Sequence, residues 1–216
     1  MLKLATTAAA FAALAMAAPA TAAVTLTTTP GTNPYSGPTP TYNLDSGRPA
    51  AFTGGSIVSG SIPGQNAQPY GSTGGYWSVG PTDGTPGVLS LAGVAAVGSI
   101  SFIWGSVDSY NTLELLGAAN NVLYTFTGSN VFNPANGNQT DPNTNPLVTL
   151  TFTGGDQTAV RSLRFSSTQN AFETDNFRIN AVPEPATWAL MLVGFGAVGF
   201  SMRRGRRAAP RLTALA

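Results

Sequence analysis

Val97-Gly98-Ser99-Ile100-Ser101-Phe102-Ile103-Trp104 puts Ile100, Phe102 and Trp104 on one side of an extended chain, with Ser99, Ser101 and Ile103 on the other. Successive side chains of a strand point to opposite faces, so this period of two predicts a β-strand with one face in a hydrophobic core. The rhythm recurs on both sides of it. Ile57 and Ile62 bracket small polar residues, Leu113 and Leu115 flank Glu114, and Val122, Tyr124 and Phe126 share a face opposite Leu123, Thr125 and Thr127. Further along, Val148, Leu150 and Phe152 alternate with threonines, Leu163 and Phe165 flank Arg164, and Phe177 and Ile179 flank Arg178. Val, Thr, Phe and Tyr suit a pleated, half-buried surface, and the runs have strand length.

The punctuation between the runs is also that of a β protein. Gly117-Ala118-Ala119-Asn120-Asn121 predicts a hairpin turn between the Leu113 and Val122 strands, and Gly154-Gly155-Asp156 closes another strand. Asn133 to Pro146 is a long loop of Asn, Pro and Thr without apolar periodicity, either functional or merely mobile. Prolines crowded between Thr28 and Tyr42 forbid a helix there and predict a meandering segment. Many short strands with no amphipathic helix imply an all-β fold, a single β-sandwich. A jelly roll is the preferred topology, with other Greek-key sandwiches beside it.

The sandwich is flanked by two segments of another kind. Lys3, the apolar run Leu4 to Met16 and Ala20-Thr21-Ala22 have the three parts of a secretory signal peptide, which gives residues 1–23 that role. A Pro/Gly/Thr-rich leading segment and the first strands then fill 24–55, and the rest of the sandwich 56–181. Residues 182–207 combine Val182-Pro183-Glu184-Pro185-Ala186-Thr187-Trp188-Ala189, an apolar run to Met202, and Arg203, Arg204, Arg206 and Arg207. The run approaches the shortest helix that crosses a bilayer core, and arginines after it obey the positive-inside rule. This predicts a C-terminal transmembrane helix followed by a cytoplasmic end at 208–216.

Charge and missing residue types exclude several functions. Between Val24 and Ala181 eight acidic residues face four arginines, a net charge of −4. Such a body has no electrostatic footprint for nucleic acid. The chain has neither His nor Cys, which removes Ser-His-Asp and Cys-His catalysis and zinc sites built on those ligands. Gly194-Phe195-Gly196-Ala197-Val198-Gly199 fits the dinucleotide-binding glycine pattern by letter only, because it lies inside the apolar run instead of after a strand.

Pro183-Glu184-Pro185-Ala186-Thr187-Trp188-Ala189, the apolar run and the arginine cluster together resemble the PEP-CTERM sorting tail in its PEPxxWA form. The resemblance implies recognition of Pro183, Glu184, Pro185, Trp188 and Ala189 by an exosortase, with Arg203, Arg204, Arg206 and Arg207 as the membrane stop. It also implies export through the general pathway, transient anchorage in the inner membrane, and a final place at the outer surface or in the extracellular matrix of a Gram-negative bacterium that makes extracellular polysaccharide. The body is similar to a family of exosortase-dependent surface proteins of unknown activity. That likeness rests on Tyr76-Trp77-Ser78-Val79, on Phe102 to Asn111, and on Glu173-Thr174-Asp175-Asn176-Phe177. It carries no catalytic residues.

Few residues of the body suggest chemistry. Glu173 and Asp175, two apart on a strand, project from one face, and with Asp108 they are oxygen donors of the kind calcium takes; the alternative is solvated strand-edge acids. No other cofactor is expected. Tyr76 and Trp77, beside Gly74-Gly75, are the candidates for stacking on a sugar ring, whereas the alternation puts Trp104 in the core. The expectation is therefore a non-enzymatic exported protein associated with polysaccharide or biofilm, with a carbohydrate-binding sandwich, calcium-stabilised or not, as the alternative.

Overall fold

The computed structural model describes residues 23–183 and 185–207, the side chains of 185–187 and 204–207 excepted. The expected signal peptide up to Ala22, Glu184 and the expected cytoplasmic end at 208–216 lie outside the described residues. Among the described residues eleven strands follow one another: β1 (Ala23–Thr29), β2 (Phe52–Thr53), β3 (Ser56–Ser59), β4 (Gly75–Val79), β5 (Gly87–Ser90), β6 (Val97–Gly105), β7 (Asn111–Leu116), β8 (Val122–Thr127), β9 (Leu147–Thr153), β10 (Ser162–Ser167) and β11 (Phe172–Ala181). One-turn helices α1 (Gly128–Val131) and α2 (Asp156–Ala159) sit between strands, and α3 (Pro185–Arg207) follows the last.

The strands form two antiparallel sheets, ordered β1-β9-β6-β11-β4-β3 and β2-β5-β10-β7-β8. Their inner faces enclose one core, as the alternation predicts. Ile100, Phe102 and Trp104 of β6 are buried there with Val148, Leu150 and Phe152 of β9 and Leu113 and Leu115 of β7. Aromatic rings hold the centre. Trp104 stacks on Phe172 with centroids 4.2 Å apart, Phe102 stacks on Phe177 at 5.2 Å, and Trp77 meets Phe52 and Phe165 edge-on at 5.0 and 5.2 Å. A Cβ on Gly87 would fall 2.4 Å from Trp77 Cζ2, so glycine in β5 makes room for the indole.

Over β4, β6 and the first half of β11 the outer face of the six-stranded sheet is not open to water. The segment between β3 and β4 folds back over it. Ile62 pairs with Asn66, Tyr76 Oη donates to Gly60 O at 2.7 Å, and Pro69 lies against Gly105. Strands β4 and β6 are thus covered on both sides, and Tyr76 to Gly80 and Ile100 to Gly105 are buried without alternation. This corrects the reading of Tyr76 and Trp77 as open aromatics. Both are fully buried, Trp77 in the core with its Nε1 donating to Gly54 O at 3.0 Å, and Tyr76 beneath the covering segment. Neither can stack on a sugar.

Glu173 and Asp175 do share the outward face of β11, but that face is covered too, and the two residues are only 2% and 1% exposed. They are not solvated edge residues. Glu173 Oε1 accepts from Ala67 N at 2.9 Å, and Asp175 Oδ2 accepts from Ser72 Oγ at 2.6 Å. The two acids tie the covering segment down at two points.

Candidate functional site

Two regions stand apart from the sandwich's own packing. The first is α3, which runs for 23 residues, about 35 Å at ~1.5 Å per residue. Pro185 opens it, where a missing N–H costs nothing. Leu190, Met191, Leu192 and Val193 together pass right round the helix, and all are exposed, as are Trp188, Phe195, Val198, Phe200 and Met202. Large apolar side chains are thus presented to solvent around the helix. Among the described residues no helix is long and apolar enough to cross a membrane. Ala189 and Arg203 are exposed as well, Pro183 is exposed in the linker, and Arg204, Arg206 and Arg207 continue the helical backbone. Strand β11 runs almost to this helix: Ala181 still pairs with Val97, and Val182 N donates to Ala96 O at 2.9 Å.

The second region is a polar cavity of about 150 Å³ at one end of the sandwich. Separate loops meet there: Gly64 to Ala67 from the covering segment, Ser106 to Tyr110 after β6, Asn136 to Gln139 from the long Asn/Pro loop, and Asn170-Ala171 before β11. Of the carboxylates singled out in the sequence, Asp108 and Glu173 line this cavity and Asp175 does not. Among the described residues no group of three or more acids is placed to hold a metal ion. No set of calcium ligands assembles from Asp108, Glu173 and Asp175.

The two cavity acids differ in their surroundings. Both Glu173 oxygens are engaged, Oε1 by Ala67 N and Oε2 by Ser106 Oγ at 2.9 Å. Burial pushes its carboxyl up to about 8, against the pull of those hydrogen bonds and with a further push from Asp108. Asp108 is half-buried. Burial raises its carboxyl as well, while a hydrogen bond with the Tyr110 side chain holds it down. Asn170 O, 3.1 Å from Tyr110 Oη, is the other acceptor within reach of that one hydroxyl proton.

The residue that organises this end is one the sequence did not mark. Asn145 is 1% exposed. Its Oδ1 accepts from Ser106 N at 2.8 Å and Tyr70 N at 3.2 Å, while its Nδ2 donates to Asn138 O at 2.9 Å and Asp141 O at 3.0 Å. One carboxamide thus fixes the covering segment, the turn after β6 and the Asn/Pro loop together. The Asp108–Asn136 bridge and the bond from Gly137 N to Val107 O at 3.0 Å hold the loop from its other side. The loop is a built wall. An asparagine among many asparagines gives no sequence signal of this role.

Comparison with curated proteins and with solved structures finds no match to the chain. Residues 181–207, the exposed apolar helix and the linker before it, match the PEP-CTERM protein-sorting motif, and the chain therefore carries the sorting signal of exosortase-dependent exported proteins.

Proposed function

We propose that the protein is a non-enzymatic surface or matrix protein of a Gram-negative bacterium, held in the inner membrane by α3 until an exosortase processes it, and then associated with extracellular polysaccharide. The observation that carries this reading is the sorting motif at residues 181–207, which falls on a helix whose large apolar side chains are exposed. Insertion as a membrane span, with the arginines on the cytoplasmic side, is the placement that relieves that exposure. Only Val182, Pro183 and Glu184 separate β11 from α3, a reach of about 10 Å at ~3.3–3.6 Å per residue. The sandwich would ride directly on the outer membrane-water interface until it is processed. We read the winding of β4 to β11, with β9-β6-β11-β4 facing β5-β10-β7-β8, as a jelly roll.

Deleting the host's exosortase tests the reading. The expected result is a heavier form that sediments with membranes, against a lighter form outside the cell in the parent strain. An unchanged mass and location would overturn it. A second reading, a carbohydrate-binding sandwich, loses its stacking candidates Tyr76 and Trp77 but is favoured by the polar cavity.

A further inference from the structure

We infer that the cavity between Asp108 and Glu173 is a binding site for a single uncharged, hydroxyl-rich ring, a neutral sugar residue. The inference deepens the proposed function and rests on it for the source of the ligand, a polysaccharide matrix. The chemistry of the lining selects the class by exclusion. No Arg or Lys lines the cavity, so an anionic group would enter with nothing to pair it. A divalent cation such as calcium needs about six to eight oxygens, several of them charged. Here Glu173 is already spent on Ala67 N and Ser106 Oγ, which leaves the Asp108 carboxyl as the single open acid. An apolar ligand would strip water from Asp108, Tyr110, Asn136, Gln139 and Asn170 without replacing its hydrogen bonds.

What remains is a ligand that both gives and takes hydrogen bonds while carrying no charge. Asp108 accepts, the Asn136 and Gln139 carboxamides do both, and Tyr110 lines the cavity beside them. The volume agrees. About 150 Å³ lies below the ~300–1,000 Å³ of pockets for drug-sized ligands, which limits the occupant to about one ring. The walls are fixed in advance by Asn145, by the Asp108–Asn136 bridge and by the Glu173 tether, so little ordering is left to oppose binding.

The test titrates the purified full chain in detergent micelles with glucose, galactose, mannose and N-acetylglucosamine, and in parallel arms with glucuronate and with calcium chloride. Amide NMR reads which residues shift. The expected result is saturable binding of at least one neutral sugar, with shifts at Asn136 and Gln139. Asp108→Asn, which keeps the shape of the side chain, and Gln139→Ala, on the exposed loop, should each weaken it about tenfold or more (~1.4 kcal/mol) at unchanged melting temperature. Binding of no neutral sugar, binding untouched by both variants, or Asp108-dependent binding of calcium or glucuronate instead would overturn the inference. Its failure is distinct from that of the proposed function. A protein that is processed and recovered in the matrix but binds no sugar sinks only the site, and one that binds sugar but keeps its tail in an exosortase-positive host sinks only the sorting reading.

Discussion

Asp175 and Phe177 are two positions apart on one strand and face opposite sides of the sheet. The Asp175 carboxyl lies under the covering segment against Ser72, and the Phe177 ring lies in the core against Phe102. Strict alternation would put both on one face. Between them the register on β6 advances from Ile103 to Ser101 while β11 advances from Asp175 to Arg178, so β11 holds one extra residue, a β-bulge. Asn176 occupies it with φ at 55°, a left-handed conformation that asparagine adopts more readily than most residues.

Asn176 is therefore the residue that lets one strand carry acids outward and aromatics inward. Asn176→Gly should leave stability nearly unchanged. Asn176→Val should cost about 1–2 kcal/mol, the penalty of the left-handed conformation. Urea unfolding separates these outcomes through the midpoint at constant slope. Equal midpoints for Val and Gly would mean that the bulge is not under this constraint.

Stability should fall as pH rises from mildly acidic to mildly basic. Burial pushes Glu173 up to about 8 from 4.5 and Asp175 up to about 7 from 3.8. Asp108 adds to the first and Asp45 to the second, while Ala67 N and Ser106 on one, and Ser72 and Asn176 N on the other, oppose the shift. Between each pair of values the folded chain holds a proton that the unfolded chain has lost. Linkage then removes stability as pH climbs through about 4 to 8. Melting temperature read by circular dichroism should be higher at pH 5 than at pH 8. Glu173→Gln should flatten that slope and raise the value at pH 8, since its amide can donate to Ser106 Oγ while its oxygen still accepts from Ala67 N. A melting temperature that climbs up to pH 8 would show the two carboxyls ionised in the fold.

Trp77→Ala should lose about 3–5 kcal/mol, the usual cost of emptying a large aromatic from a core. The indole packs against Phe52 and Phe165 and donates to Gly54 O. Since a domain holds only ~5–15 kcal/mol in all, any lost ligand binding in this variant would report unfolding. Thermal denaturation alongside a binding assay distinguishes the two. A stable Trp77→Ala protein would mean that the side chain is not in the core.

The two-sheet core was legible because β6, β7, β9 and β10 each carry their apolar residues at period two. The Gly117–Asn121 turn was legible from its glycine and asparagines, and Gly117 N donates to Asn121 O at 2.9 Å. What the pattern could not reveal is the second cover. The segment between β3 and β4 is polar and aperiodic, yet it buries the outer face over β4, β6 and the first half of β11, so Tyr76-Trp77 looked open beside two glycines and Glu173 looked solvated. Strand β5 escaped for a simpler reason, and β1 was placed no more closely than among the first strands of 24–55. Val24 and Leu26 alternate in β1 directly after the expected cleavage site, and Gly87–Ser90 is too short to show a period. The sorting motif was readable residue by residue because it is local, whereas Asn145 acts through partners far away in the sequence.

Removing the tail should leave the sandwich as stable as before. The apolar side chains of α3 are exposed and add no buried area to the fold, so ending the chain at Pro183 should change stability by no more than the ~0.5 kcal/mol of an ordinary surface change. Ending it at Ile179 is different in kind. It removes the pairings of Asn180 with Ser99 and Ala181 with Val97, together with the bond from Val182 N to Ala96 O, and uncovers the end of a central strand. Each ~1 kcal/mol is worth about 2–4 °C for a chain of this size, so the shorter form should melt several degrees lower than the form ending at Pro183. A protease acting on the tail therefore has Val182 to Glu184 to work in before it erodes the fold. A drop of several degrees on cutting at Pro183 itself would mean that α3 docks on the sandwich and supports it.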